Sequence, residues 1–351
     1  MDRVLIRSLD MNTPELWINA FADPRTAAED ARVIEADGFD GIAVVENQCM
    51  APDPFVGLAI MAQATTRLGL GTGTCNPVTR HPAVLAAAAA SVAAASGNRM
   101  MLGIGRGLSA NFDVGLPPAS LRAFKRYLVE LRGYVRGQQV DQHGTASSLK
   151  WLRFLGAPEV AIEVTATGPK VIALAAPLAD RLAFAVGADP QRVRWAVETA
   201  KRARREAGLD PDGIGYGAYI QAYPHPAMDR AIALARGPVS GMASVSGMPG
   251  NDGEGQNPAD REQFLLVNEV YEMRTHVMSR SPQAAAMDGD FVRRFAALGP
   301  VDEVVDRLKS VISAGVTRLY LSFPAPDSDP DDAAESRRLL TTEVLPALRA
   351  S

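Results

Sequence analysis

The sequence predicts an α/β fold, a (β/α)8 TIM barrel with insertions. Short apolar runs alternate with amphipathic helical stretches along nearly the whole chain. The runs are apolar on both faces, as strands of a parallel sheet covered by helices must be. Eight strand-and-helix units can be read in succession, which is the number that closes a barrel.

Residues 16–21 are the first predicted strand. Asp23-Pro24 follows, an N-cap residue with proline at the first helical position, and this helix is expected to run to Gly38. Residues 41–45 are the second strand, and Asp53-Pro54 opens the next helix with the same device. Residues 68–73 are the third strand; Pro82 opens an Ala-rich helix that Gly97 closes. Residues 100–104 are the fourth strand, before a strongly periodic helix over 121–136. In the second half, strands are read at 160–166, 182–186, 214–223 and 319–323. Gly168-Pro169-Lys170 and Asp189-Pro190 open helices between them.

Two stretches interrupt the rhythm. Residues 138–158 read as a long connection, and residues 238–258, rich in Gly, Ser, Met and Asn, read as a loop. Loops of that length are usually functional or mobile. Helical stretches over 260–278 and 290–298 follow as additions. The expected organisation is a single domain over 1–351 with insertions near 138–158 and 238–280.

Composition narrows the function. The 351 residues are 47% apolar and 22% charged with a formal charge of −4, ordinary for a packed soluble protein and wrong for a nucleic-acid surface. No run is long enough to cross a membrane, and no signal segment is read at the N-terminus. The two cysteines, Cys49 and Cys75, form no disulfide framework, so the cytoplasm is the expected compartment. The four histidines show no metal-ligand spacing, and no metal is expected.

In such a barrel the chemistry belongs at the C-terminal ends of the strands. That rule selects Glu46-Asn47-Gln48, Gly73-Thr74-Cys75-Asn76, Gly105-Arg106-Gly107, Thr165-Ala166-Thr167-Gly168-Pro169-Lys170 and Val186-Gly187-Ala188. Glycines 69, 71, 73 and 103, 105, 107 are spaced G-x-G-x-G, and the dinucleotide fingerprint G-x-G-x-x-G fails. They let the chain turn out of a crowded barrel, or they leave room for a flat ring against the backbone; glycines at two neighbouring strand ends favour the ring. Gly168-Pro169-Lys170 starts a helix, where unpaired N–H groups and a lysine make a phosphate seat. On the tripeptide alone, an ordinary turn with a solvated lysine is the plainer reading. Glu46 is the carboxylate of the set, and handling a proton and bracing a loop are equally open to it. Asn47, Thr74 and Asn76 can orient ring or substrate oxygens. Cys75 reads as a small packed residue, and Arg80-His81 as a solvated pair.

These residues resemble the luciferase-like monooxygenase superfamily, in the branch of coenzyme F420 (deazaflavin)-dependent oxidoreductases similar to methylenetetrahydromethanopterin reductase. Gly71-Thr72-Gly73-Thr74-Cys75-Asn76-Pro77 with Arg80-His81-Pro82 carries the resemblance most specifically, supported by Gly103-Ile104-Gly105-Arg106-Gly107, Ala166-Thr167-Gly168-Pro169-Lys170 and Val186-Gly187-Ala188-Asp189-Pro190. The resemblance implies a bacterial-luciferase-like barrel and a ring held at a non-prolyl cis peptide, here Gly73-Thr74. It places the cofactor phosphate near Gly168, Gly187 and Ala188. It implies coenzyme F420, with FMN as the alternative, and hydride transfer to or from a small or biosynthetic substrate by C=C, C=N or C=O reduction. Glu46 and Asn47 are the catalytic candidates. Asn47 stands where many relatives carry histidine, and Leu108 where many carry an acidic residue. An FMN-dependent monooxygenase and a catalytically altered ligand-binding barrel are the competing readings. A homodimer is expected, with neither nucleic acid nor membrane as partner.

Overall fold

The computed structural model describes residues 13–156, 160–248, 251 and 253–350. The first half runs β1 (Glu15–Ala20), α1 (Ala27–Ala36), β2 (Gly41–Val44), α2 (Pro54–Ala64), β3 (Gly69–Thr72), α3 (Pro82–Ser96), β4 (Met100–Ile104), α4 (Ser109–Phe112) and α5 (Leu121–Val135). The hairpin β5 (Val140–Gln142) and β6 (Thr145–Ser147) then precedes β7 (Ala161–Ala166), α6 (Pro169–Ala175), β8 (Arg181–Phe184), α7 (Pro190–Glu206), β9 (Gly215–Ile220) and β10 (Ala222–Pro224). The remainder is α8 (Met228–Ser246), α9 (Pro258–Glu269), α10 (Pro282–Ala286), α11 (Gly289–Phe295), β11 (Ala297–Gly299), α12 (Val301–Ile312), β12 (Arg318–Ser322), α13 (Pro330–Leu339) and α14 (Leu345–Arg349).

Eight strands close into a barrel in the order β1-β12-β9-β8-β7-β4-β3-β2. This is the (β/α)8 architecture that the strand-helix alternation predicts. By internal packing the chain divides into two compact units, one built mainly from 19–165 and 177–182, the other from 11–18, 166–176 and 183–351.

In the first unit, β2, β3, β4 and β7 pair in parallel, with Ala43 opposite Gly71 and Ile104 opposite Val164. Asp53 caps α2 through Phe55 N at 2.9 Å, with Pro54 at the first position. The His81 ring caps α3 through Ala83 N at 3.2 Å, and Gly97 ends that helix at φ 64°. The fully buried Ile42, Leu58, Leu70, Leu85, Leu102 and Phe124 fill this unit's apolar interior.

In the second unit β9 pairs with β12, bringing Tyr219 opposite Tyr320, whose rings stack at 4.5 Å. A second apolar cluster gathers Tyr223, Leu234, Phe264, Phe291 and Phe295 around α8.

Four sequence expectations need correction. Asp23-Pro24 does not start α1. Asp23 turns its carboxylate to Arg25 N at 2.9 Å and to the Arg25 guanidinium, and the helix begins at Ala27. The strand expected over 214–223 divides after Ile220, because β10 leaves the barrel to pair with β11, and β11 replaces the end of the helix expected at 290–298. The connection 138–158 contains the β5–β6 hairpin; its last position, Pro158, lies outside the described residues. The loop expected from Pro238 is helical as far as Ser246, because α8 contains Pro238. The small residues that read as loop are what the helix needs. A Cβ on Gly237 would lie 2.2 Å from the Val277 carbonyl oxygen, and one on Gly241 would lie 2.8 Å from Val277 Cγ1. Ser240 and Ser244 donate back to the carbonyls of Gly237 and Gly241 at 2.7 and 2.9 Å. Positions 249, 250 and 252 of that stretch lie outside the described residues.

Candidate functional site

After Thr72 the chain leaves the regular ladder of β3. The Gly73–Thr74 peptide is cis, at the position the family resemblance implies. Cys75 then rejoins β4: Cys75 N donates to Gly103 O at 3.0 Å, and Gly105 N donates to Cys75 O at 2.9 Å. Asn19 braces the bulge, its amide donating to Ala43 O at 3.0 Å and to Gly73 O at 3.1 Å.

The glycines do not all serve a ligand. A Cβ on Gly73 would lie 2.4 Å from Asn19 Nδ2, one on Gly103 would lie 2.0 Å from Thr72 O, and one on Gly107 would lie 2.4 Å from Asn111 Nδ2. At these positions the protein's own atoms occupy the space, so the reading of a continuous glycine shelf is narrowed. Gly105 differs: its nearest neighbours would be Thr74 Oγ1 at 3.2 Å and Thr165 O at 3.9 Å. The buried Thr165 hydroxyl has no hydrogen-bond partner in the protein. A buried hydroxyl left unpaired costs about 1–3 kcal/mol.

Beside this bulge lies a buried carboxylate. Glu46 is 5% exposed, and its Oε1 accepts from Arg80 Nε. Its Oε2 lies 3.4 Å from the Asn76 amide nitrogen. Arg80 also reaches Asp53 Oδ2 at 2.5 Å, and the Tyr127 hydroxyl holds the Arg80 carbonyl at 2.8 Å. The expectation of a solvated Arg80-His81 pair is therefore overturned: Arg80 bonds two carboxylates, and His81 caps a helix. Burial works against the charge on Arg80, but the bonds to Asp53 and Glu46 outweigh it and raise its pKa. Burial likewise opposes ionisation of Asp53, and the Arg80 guanidinium outweighs that too, holding the carboxyl below its ordinary value. Arg80 Nε and the Asn76 amide nitrogen both face Glu46 as hydrogen-bond donors, so the carboxylate is arranged as an acceptor of hydrogen bonds.

Other candidate residues are spent on the scaffold. Asn47 donates to Asp113 Oδ2 at 2.9 Å and accepts from Cys49 N at 3.1 Å, so both ends of its amide brace loops. Asn76 Oδ1 accepts from Val78 N and Thr79 N at 2.9 and 3.0 Å, shaping the turn into α3. Arg106 Nε turns back to Ala119 O at 2.7 Å. Cys75 is fully buried, and burial, aided by the Glu46 charge, pushes its thiol pKa well up. Leu108 precedes α4 and gives it no side-chain cap.

The helix-start candidates lie in the second unit. Ala185 N donates to Ala166 O at 3.0 Å and the Thr167 hydroxyl reaches Ala185 O at 3.3 Å, which brings 166–168 beside 185–188. Gly168 caps α6 without a side-chain bond, and Lys170 is exposed. Ala188 is not an open donor, since its N–H is bonded to Phe295 O at 2.7 Å. Gly187, at φ 84°, packs where a Cβ would lie 2.9 Å from the Phe295 ring. Arg192 escaped the sequence reading. It is 4% exposed, donates to Val186 O at 3.0 Å and to Ser246 Oγ at 2.8 Å, and lies over the Phe264 ring at 4.5 Å. Burial lowers its pKa to about 10. Nothing in the local sequence distinguishes this arginine from Arg194 or Arg202 on the same helix; only the packing does.

Among the described residues, no group of three or more His, Cys, Asp or Glu gathers as a metal site, and no helix is long and apolar enough to cross a membrane.

Comparison with known proteins supplies the family. The sequence model described as luciferase-like monooxygenase matches residues 6–318. A 5,10-methylenetetrahydromethanopterin reductase of Methanolobus tindarius is 25% identical over 305 residues, covering 84% of this chain and 89% of its own. An F420-dependent glucose-6-phosphate dehydrogenase of Microbacterium testaceum is 24% identical over 310 residues, covering 85% and 84%. The solved structure of an F420-dependent secondary alcohol dehydrogenase with an F420-acetone adduct shares the fold at a TM-score of 0.74 and 19% identity, covering 96% of this chain and 99% of that one. With the barrel, the cis peptide after the third strand and a match over most of its length, the chain belongs to the luciferase-like monooxygenase family.

Proposed function

We propose that the protein is a coenzyme F420-dependent oxidoreductase acting on a small or biosynthetic substrate by reduction, or the reverse oxidation, of a C=C, C=N or C=O bond. The observation that carries this reading is the buried Glu46 carboxylate, held as a hydrogen-bond acceptor by Arg80 and Asn76 beside the Gly73–Thr74 bulge. The full-length relatives named as F420-dependent enzymes or as methylenetetrahydromethanopterin reductases support the cofactor.

The residues present fit a planar cofactor beside Gly105, where an added Cβ would press on the Thr74 hydroxyl at 3.2 Å and come no nearer than 3.9 Å to Thr165 O, and at the unpaired Thr165 hydroxyl. Gly73, Thr74 and Gly105 would hold the ring, with Cys75, Asn76, Arg106 and Gly107 shaping the wall behind them. Ala166, Thr167, Gly168, Pro169 and Lys170, with Val186 and Gly187, would take the phosphate. When bound, the deazaflavin supplies a two-electron hydride carrier. The protein's own part is to orient the substrate and to accept or return one proton at Glu46 Oε2. Homodimer assembly and a cytoplasmic setting complete the proposal; light scattering on the purified protein checks the first.

The test is a fluorescence titration with oxidised F420 and with FMN. Saturable binding of F420 alone is expected; saturable binding of FMN alone would replace the reading with a flavin monooxygenase. F420 reduction is then assayed with glucose-6-phosphate and 2-propanol, and reduced-F420 oxidation with methylenetetrahydromethanopterin. With any of these that turns over, Glu46→Gln should lower kcat by at least about a hundredfold while leaving F420 affinity within about twofold.

A further inference from the structure

Three neighbouring strand ends in the first unit carry a threonine, a glycine and a threonine in order. Thr74 follows β3, Gly105 follows β4 and Thr165 lies near the end of β7. The β4–β7 register ends with Ile104 opposite Val164, so Gly105 and Thr165 are the next residues of their strands. Alternation along β7 puts Thr165 on the same face as Glu163, which is fully buried and bonded to Arg181 at 3.3 Å. Thr165 Oγ1 is shut off from solvent, yet no protein donor or acceptor meets it. The Cβ position of Gly105 is bounded by Thr74 Oγ1 at 3.2 Å and Thr165 O at 3.9 Å.

We infer that the Thr165 hydroxyl is a cofactor-binding group: it hydrogen-bonds a polar edge atom of a planar heterocycle that passes over Gly105. This rests on the deazaflavin reading and adds to it a residue chosen for what the protein fails to satisfy. A hydroxyl bonded within the protein would make threonine necessary for folding. A hydroxyl bonded only to a ligand makes threonine necessary for binding alone. The two roles separate in a Thr165→Val variant, which keeps the side chain's shape.

Thermal denaturation of the ligand-free protein and fluorescence titration with F420 are measured on the wild type, Thr165→Val, Thr165→Ser and Gly105→Val. The valine variant at 165 is expected to melt at or above the wild-type temperature and to bind F420 about tenfold more weakly. The serine variant keeps the affinity within about threefold. Gly105→Val loses F420 binding by at least about a hundredfold and still melts cooperatively, since the added branch enters the space assigned to the ring. A Thr165→Val protein that binds F420 as tightly as wild type, or that is clearly destabilised without ligand, overturns the inference while leaving the deazaflavin reading intact. A wild type that binds no F420 overturns both.

Discussion

Arg80 joins a buried carboxylate to an exposed one: its guanidinium bonds Glu46, whose side chain is 3% exposed, and Asp53, whose side chain is 43% exposed. The pair Glu46–Arg80 links the end of β2 to the turn before α3. Removing the guanidinium would leave a buried carboxylate without its charge partner. Breaking a buried pair in this way costs about 3–5 kcal/mol, and the partial exposure of Arg80 places the effect at the low end. Arg80→Met should therefore lose about 3 kcal/mol in urea unfolding. Arg80→Lys should recover only part of this, because an ammonium lacks the fork that reaches both acids. A methionine variant within about 0.5 kcal/mol of wild type would show that Glu46 does not depend on Arg80.

The other ion pair of Arg80, with Asp53, sets a pH dependence. The Arg80 guanidinium holds the folded-state Asp53 carboxyl below its ordinary pKa. A depressed carboxyl contributes stability that is present above the unfolded-state pKa and is lost as pH falls through the folded one. Stability measured from pH 5 downward should therefore fall less steeply below about pH 4 in Asp53→Asn than in wild type. Parallel curves would mean that Arg80 does not hold Asp53 in solution.

The two cysteines should separate by reactivity. Cys49 is exposed, whereas Cys75 is fully buried with its thiol pKa raised by burial and then by the Glu46 charge. A chromogenic disulfide reagent should titrate a single thiol in the native protein at pH 8 and both after denaturation. Prompt labelling of both in the native state would contradict the burial of the β3 bulge.

Gly237→Ala tests the packing of α8. The added methyl would lie 2.2 Å from Val277 O and 3.0 Å from Ala325 Cβ, so backbone must move. Overpacking of this kind costs about 1–3 kcal/mol, although alanine is the better helix former. The variant should melt several degrees below wild type; an unchanged or higher melting temperature would mean that the contact with residue 277 is loose.

Helix starts were legible where proline and a capping side chain act locally. Asp53-Pro54, Gly168-Pro169 and Asp189-Pro190 mark helix starts because the signal lies within three residues. Asp23-Pro24 carries the same letters and makes the same bond to the N–H two residues on, yet a turn intervenes before α1 begins at Ala27. Pro238 read as a breaker because nothing near it in sequence announces the Val277 carbonyl against which the small residues of α8 pack. In the site, Glu46, Thr74 and Gly105 were legible from their places at strand ends. Thr165 was legible only as one strand-end residue among several, and Arg80 only as a solvated one: Arg80 lies 34 residues from Glu46, and the unpaired state of the Thr165 hydroxyl is a property of its surroundings.

The order of residues by itself determined the barrel, its strand-helix rhythm and the family, because hydrophobic periodicity and turn chemistry act over a few residues. Only the tertiary structure decided which glycines press on the protein's own atoms, which amides are already spent and which carboxylate meets a guanidinium. Those are relations between segments that the chain brings together by folding, and their energies depend on burial and distance, which no single stretch of sequence contains.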